Sequence, residues 1–124
     1  MDTITKSLNW FEIPVTDMAR SKHFYQVIFS IHKHEMEMVG MKMVGFPGEN
    51  GSGKVSGALV QSENHITSPE AVVLYLNANP DMNPVLEIIE QEEGHVILPI
   101  TDISPEIGYV AFFMDTKGNK VALH

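Results

Sequence analysis

The chain contains no cysteine, which removes disulfides, thiolate nucleophiles and cysteine-based zinc sites together. A reducing compartment suits such a chain, and a cytoplasmic location is expected. Positive charge is scarce: eight Lys and Arg stand against sixteen Asp and Glu, a formal net charge of −8. No basic cluster relieves it, so most of the surface repels phosphate backbones and anionic lipids, and neither nucleic acid nor membrane is an expected partner. No apolar run approaches the roughly 20 residues of a membrane span, and the opening MDTITKSLNW lacks the charged-then-apolar pattern of a secretory signal. What is present is a 124-residue chain with 44% hydrophobic and 19% charged residues, the composition of one compact domain over 1–124. At this length folding hides roughly two-thirds of the unfolded surface, enough for a core without staples.

Leu8 to Val15 alternates, with Phe11, Ile13 and Val15 on one face and Trp10, Glu12 and Pro14 on the other, which predicts a strand. Thr16 and Asp17 are cap-type residues before Met18 to Phe29, where Met18, Ser21, Phe24, Tyr25, Ile28 and Phe29 share one helical face. Three strand-like pieces follow, Ile31 to Val39, Met41 to Phe46 and Val55 to Gln61, broken by Gly40 and by PGENGSGK at Pro47 to Lys54. Ser62 to Glu70, with Ser68-Pro69, reads as a linker. The pattern then repeats: a strand at Ala71 to Asn77, a turn at Asn79 to Asn83, and a helix opened by Pro84 and closed near Gly94. Strands at His95 to Ile100, Tyr109 to Met114 and Lys120 to His124 complete it, the last two joined by the turn DTKGN. Two βαβββ modules, 4–62 and 68–124, follow from this, an α+β fold of duplicated units each too small to be comfortable alone. With helices covering one side of curved mixed sheets, the residues of opposite parity line a concave cleft.

The order of elements, EIPVTDMARSKHFYQVIF at Glu12 to Phe29, SGALV at Ser56 to Val60 and DTKGNKVAL at Asp115 to Leu123 resemble the vicinal oxygen chelate superfamily. That group contains glyoxalase I, bleomycin resistance proteins and extradiol dioxygenases, and the resemblance covers essentially the whole chain. It implies the two-module fold, a homodimer, and, in the metalloenzymes, metal ligands from the first and last strands of each module. Those positions correspond to Trp10, Ala58, Ala71 and Ala122 here. A divalent ion needs three or four converging N or O donors, and these four side chains provide none, so no metal or other cofactor is expected.

By strand parity the cleft face carries Trp10, Glu12, Ser56, Ala58, Val60, Ala71, Val73, Tyr75, Lys120, Ala122 and His124. The alanines leave room, Trp10 and Tyr75 offer flat surfaces with polar tips, and Glu12 with His124 is the one acid/base pair parity suggests. We therefore take Trp10, Glu12, Ser56, Ala58, Val73, Tyr75, Lys120 and Ala122 as candidate ligand-binding residues and Glu12 and His124 as candidate catalytic ones. The bland alternatives are a wet rim for Glu12, a frayed end for His124, and packing between modules for Trp10 and Tyr75.

Three other features are decoys. GENGSGK at Gly48 to Lys54 has the outline of a phosphate loop, but Val55 replaces the required Ser or Thr and a strand follows, so a hairpin loop is the better reading. His32 and His34 alternate on a strand and could share a metal with Glu63 or His65, although charged neighbours favour a solvated strand. Met36, Met38, Met41 and Met43 line neighbouring strands, where methionine as core filler is commoner than methionine as pocket lining. His23 and His95 belong to no constellation. The leading functional expectation is metal-independent binding of a small molecule in the cleft. Its rivals are a metal-dependent lyase or dioxygenase of the glyoxalase type with atypical ligands, metal-free proton transfer by Glu12 or His124, and a regulatory subunit whose cleft is plugged by Trp10 and Tyr75.

Overall fold

The computed structural model describes residues 3, 8–32, 34–38, 41–48, 54–63 and 65–124. Strand β1 (Trp10–Pro14) leads to helix α1 (Met18–Phe29), whose start is fixed by Asp17: its Oδ1 accepts the Arg20 N–H at 3.2 Å. Ser30 closes the helix in the left-handed region, at φ 51°, its N–H directed to the carbonyls of Gln26 and Val27. Strands β2 (His34–Met38), β3 (Met41–Gly45) and β4 (Ser56–Gln61) follow. The sheet order is β1-β4-β3-β2, with β1 parallel to β4 and the other pairs antiparallel.

The second half repeats this order. Strand β5 (Tyr75–Leu76), helix α2 (Asn83–Gln91) and strands β6 (His95–Ser104), β7 (Gly108–Met114) and β8 (Lys120–Leu123) form the sheet β5-β8-β7-β6, with β5 parallel to β8. Two βαβββ-like modules with the same internal connectivity are thus present, as the repeat of elements implies.

Two strands differ from the sequence reading. Ala71 to Asn77 yields ladder pairing only at Tyr75 and Leu76, opposite Ala122 and Leu123, while Val72 is 87% exposed. Strand β8 has only four residues to offer as a template, although Leu74 still accepts the Ala122 N–H at 2.9 Å. Strand β6 runs on past Ile100 to Ser104 because register shifts on either side of Leu98 and between Asp102 and Ser104 absorb irregularities. Pro99, which has no N–H to give a ladder, lies within that shifted stretch.

The helix-facing residues of both sheets meet in one core. Ile13, Val44 and Leu59 from the first sheet join Leu76, Phe113, Val121 and Leu123 from the second, under Phe24, Tyr25 and Ile28 of α1 and Ile89 of α2. The Phe24 ring stands edge-on to Tyr25 at 5.1 Å and lies 6.2 Å from Phe113, so one aromatic column crosses the module boundary. On the opposite face of the first sheet Met43, Ala58 and Val60 are buried together, with Met41 against them. Met41 and Met43 therefore fill core; the side chains of Met36 and Met38 lie outside the described residues.

Candidate functional site

Strand alternation sends Phe11 to the helix side of β1, and Phe29, Phe46 and Leu76 reach the same side from α1, the end of β3 and β5. Where the two modules meet they leave a pocket of about 430 Å³. Phe11 and Phe46 stand 5.4 Å apart at 51°, and Leu8 and Val55, 45% and 37% exposed, lie at its rim. Three polar side chains line it: Ser56, Tyr75 and Asn77. Ser56 donates its hydroxyl to the Phe46 carbonyl at 3.1 Å, and Tyr75, 54% exposed, rests its ring edge-on against Phe112 at 5.9 Å. Of the candidate ligand-binding residues, Ser56 and Tyr75 line this pocket.

Trp10 and Glu12 form a second cluster with a residue from the linker. Glu12 Oε1 accepts from His65 Nε2 at 3.0 Å, Glu12 Oε2 accepts from Trp10 Nε1 at 3.3 Å, and His65 Nδ1 lies 2.6 Å from Ser62 Oγ. The hydrogen bond from His65, opposed by desolvation and assisted by Trp10, holds the Glu12 carboxyl below its ordinary value. Glu12 and His124 are not brought together: His124 donates Nε2–H to the Ile107 carbonyl at 2.6 Å, at a second pocket of about 550 Å³ that also holds Asp81 and Tyr109. The partner of Glu12 is thus one that sequence reading named only as a third metal donor. The only signal available was its position in a polar linker.

The remaining candidates lie elsewhere. Ala58 and Ala122 are fully buried. Lys120 holds its ammonium 4.9 Å from the centre of the Phe112 ring, Val73 is half-buried, and Ala71 is exposed.

The family model for the Glyoxalase/Bleomycin resistance protein/Dioxygenase superfamily matches residues 7–123. The chain belongs to that superfamily. No curated protein matches it. Among solved structures, this superfamily member is similar to the hypothetical protein SA1046 from S. aureus, at 21% identity and a TM-score of 0.67, over 97% of this chain and 96% of that one. It is also similar to TnmS3, an antibiotic binding protein from Streptomyces sp. CB03234, at 16% identity and a TM-score of 0.63, over 99% and 98% of the two chains. The genomically encoded fosfomycin resistance protein FosX from Listeria monocytogenes matches at 15% identity and a TM-score of 0.63, over 98% and 93%. At these identities the likeness is one of fold.

Trp10, Ala58, Ala71 and Ala122, which the family resemblance puts at the usual ligand positions, offer no side-chain donor for a divalent ion. Among the described residues no three His, Asp or Glu side chains converge as a metal site. The side chain of His34, half of the histidine pair considered from sequence, is outside the described residues, as are residues 49–53 of the GENGSGK loop. His23 of α1 faces Glu92 at 3.2 Å, and His95 at the start of β6 faces Glu90 of α2 at 3.9 Å. Among the described residues no helix is long and apolar enough to cross a membrane.

Proposed function

We propose that this superfamily member binds a small molecule without a metal ion, holding it in the pocket where the modules 4–62 and 68–124 meet. The observation that carries this reading is the pocket itself. Its volume of about 430 Å³ falls in the range of ligand sites, and its walls are mainly apolar with a few polar groups at one edge. The donor-free side chains at the usual ligand positions support the absence of metal from its chemistry. Binding by an antibiotic binding protein of similar fold is consistent with such a use. We place the protein in the cytoplasm, as the absence of cysteine suits, and as a homodimer, as the family resemblance implies.

The test is a thermal-shift screen of the full chain against a small-molecule collection, run beside Val55→Trp, which narrows the pocket mouth. Compounds that raise the midpoint for the parent and not for Val55→Trp support the reading. A collection in which every stabilising compound acts equally on both proteins refutes it.

A second reading is favoured by the Glu12–His65 hydrogen bond, which joins a carboxylate to an imidazole at 3.0 Å and so could move a proton without metal. It requires a bell-shaped pH–rate profile for a turnover that both Glu12→Gln and His65→Asn abolish; activity surviving either change removes it.

A further inference from the structure

Resting on the binding reading above, we infer that the ligand of the pocket between the modules is electrically neutral: an apolar body carrying an aromatic ring, with one hydrogen-bonding end. Among the described residues no charged side chain lines this pocket. A charged ligand drawn into it gives up hydration without meeting a counter-charge among the described residues, which apolar walls do not offset. The wall is aromatic in layers. Behind the tilted pair of Phe11 and Phe46, Tyr25 meets Phe46 edge-on at 5.7 Å and stacks on Phe29 at 6.4 Å, so the rings facing the pocket are held from behind. Rings fixed in this way favour a flat guest, offering both a face and an edge without losing further rotamer freedom.

The polar edge specifies the other end of the guest. Ser56 has committed its hydroxyl hydrogen to the Phe46 carbonyl and presents lone pairs only. Asn77 Oδ1 accepts the Asn79 backbone N–H at 2.9 Å, which leaves the Asn77 side-chain amide hydrogens to donate, and the Tyr75 hydroxyl makes no hydrogen bond among the described residues. The edge therefore presents one acceptor, one donor and one group that serves as either. A neutral end that both accepts and donates, such as a phenol or a carbonyl beside an N–H, matches it; a carboxylate, phosphate or ammonium does not. The pocket at His124 is the contrast, since Asp81 and His124 line it. Its walls can meet charge, and the described walls between the modules cannot.

Two fluorescent probes with one ring system separate the alternatives: N-phenyl-1-naphthylamine, which is neutral, and 8-anilinonaphthalene-1-sulfonate, which adds a single negative charge. Titrated into the full chain, the neutral probe should saturate at one per chain and bind at least about tenfold tighter than the sulfonate. Val55→Trp, at a 37% exposed rim position, should weaken the neutral probe by about tenfold or more while the unfolding midpoint stays within about 2 °C of the parent. Leu8→Asp, at the 45% exposed Leu8, gives the same readout should Val55→Trp not fold. Equal or tighter sulfonate binding that is lost with Val55→Trp would overturn the neutral class and leave the binding site standing. If neither probe saturates, or if both bind with no response to either variant, the class and the binding reading fall together.

Discussion

The Tyr25 hydroxyl donates to Asp115 Oδ2 at 3.0 Å, joining the middle of α1 to the turn after β7 across 90 residues of sequence. Both residues are buried. The same carboxylate organises its own turn: Oδ1 accepts the N–H groups of Lys117 and Asn119, each at 2.9 Å, and Oδ2 accepts from the Asn119 side chain at 3.0 Å. Asn119 also donates to the Pro14 carbonyl at 2.7 Å, at the end of β1. One acidic side chain thus clamps the first module's helix and strand to the second module's final hairpin. Burial first, and the neighbouring Asp115 second, push the Tyr25 phenol well above its ordinary value, so it stays a donor throughout the accessible pH range.

Tyr25→Phe keeps the ring and removes only this donor. A hydrogen bond to a charged acceptor contributes about 1.5–3 kcal/mol, so the substitution should destabilise by that amount, read as a lower midpoint in urea with unchanged slope. Asp115→Ala removes the acceptor for four donors and should cost more than Tyr25→Phe. The opposite ranking would mean that the clamp acts chiefly through the phenol.

Gly57 lies opposite Phe11 in the parallel β1–β4 pair. A Cβ there would come within 2.3 Å of the Phe11 carbonyl oxygen and 2.5 Å of its ring. Backbone cannot yield as a flexible side-chain end can, so Gly57→Ala should destabilise by about 1–3 kcal/mol. Because Phe11 is also a pocket wall, the same variant should weaken the neutral naphthylamine probe. Thermal melting with a probe titration checks both; a variant with an unchanged midpoint would show that the strands separate without cost.

Much of the fold was legible because its signals are local. The Asp17 cap, the 3.6-residue stripe through Phe24 and Ile28 and the DTKGN turn each need only a few neighbours in sequence, and each stands where the sequence reading placed it. Strand β5 was overdrawn because pairing length is set by its template, β8, and not by its own apolar run. The site was harder. Parity assigned faces, but Phe29, Phe46 and Leu76 read as ordinary core, and nothing in their spacing shows that three elements leave space between them. The Glu12–His124 pairing failed because β1 and β8 lie in different sheets, and His65 was hidden in a segment with no periodicity to orient it.

The Glu12–His65 pair sets an acid limit. Glu12 titrates below its ordinary 4.5 in the folded state, chiefly through the His65 hydrogen bond, so its contribution is present above that value and is lost as pH falls through the lowered folded one. The two side chains are 35% and 23% exposed, which screens the interaction to under about 1 kcal/mol. Urea unfolding of the parent and Glu12→Gln should differ by that much near pH ~7 and converge near pH ~3. A difference that persists in acid would assign the effect to packing.

Metal addition tests the usual ligand positions directly. With no three His, Asp or Glu side chains converging among the described residues, nickel, zinc, iron or manganese should each leave the melting midpoint within about 1 °C of the metal-free protein. A rise of several degrees with one ion, abolished by His32→Ala or His65→Ala, would restore the histidine cluster as a metal site.

Ser30 offers the opposite kind of test, a predicted gain. It ends α1 at φ 51° and ψ 48°, a region that costs a residue with a Cβ but not glycine. Its side chain is exposed, so little packing is lost when the hydroxymethyl group is removed. Ser30→Gly should therefore stabilise by up to about 1 kcal/mol, and Ser30→Val, whose branched Cβ suits that region least, should destabilise by a similar amount. Both changes lie next to Phe29 and Ile31, which line the pocket between the modules. If the helix end only positions those walls, neutral-probe affinity should stay constant in Ser30→Gly while the midpoint rises. A coupled loss of affinity would show that the pocket depends on freedom at this helix end.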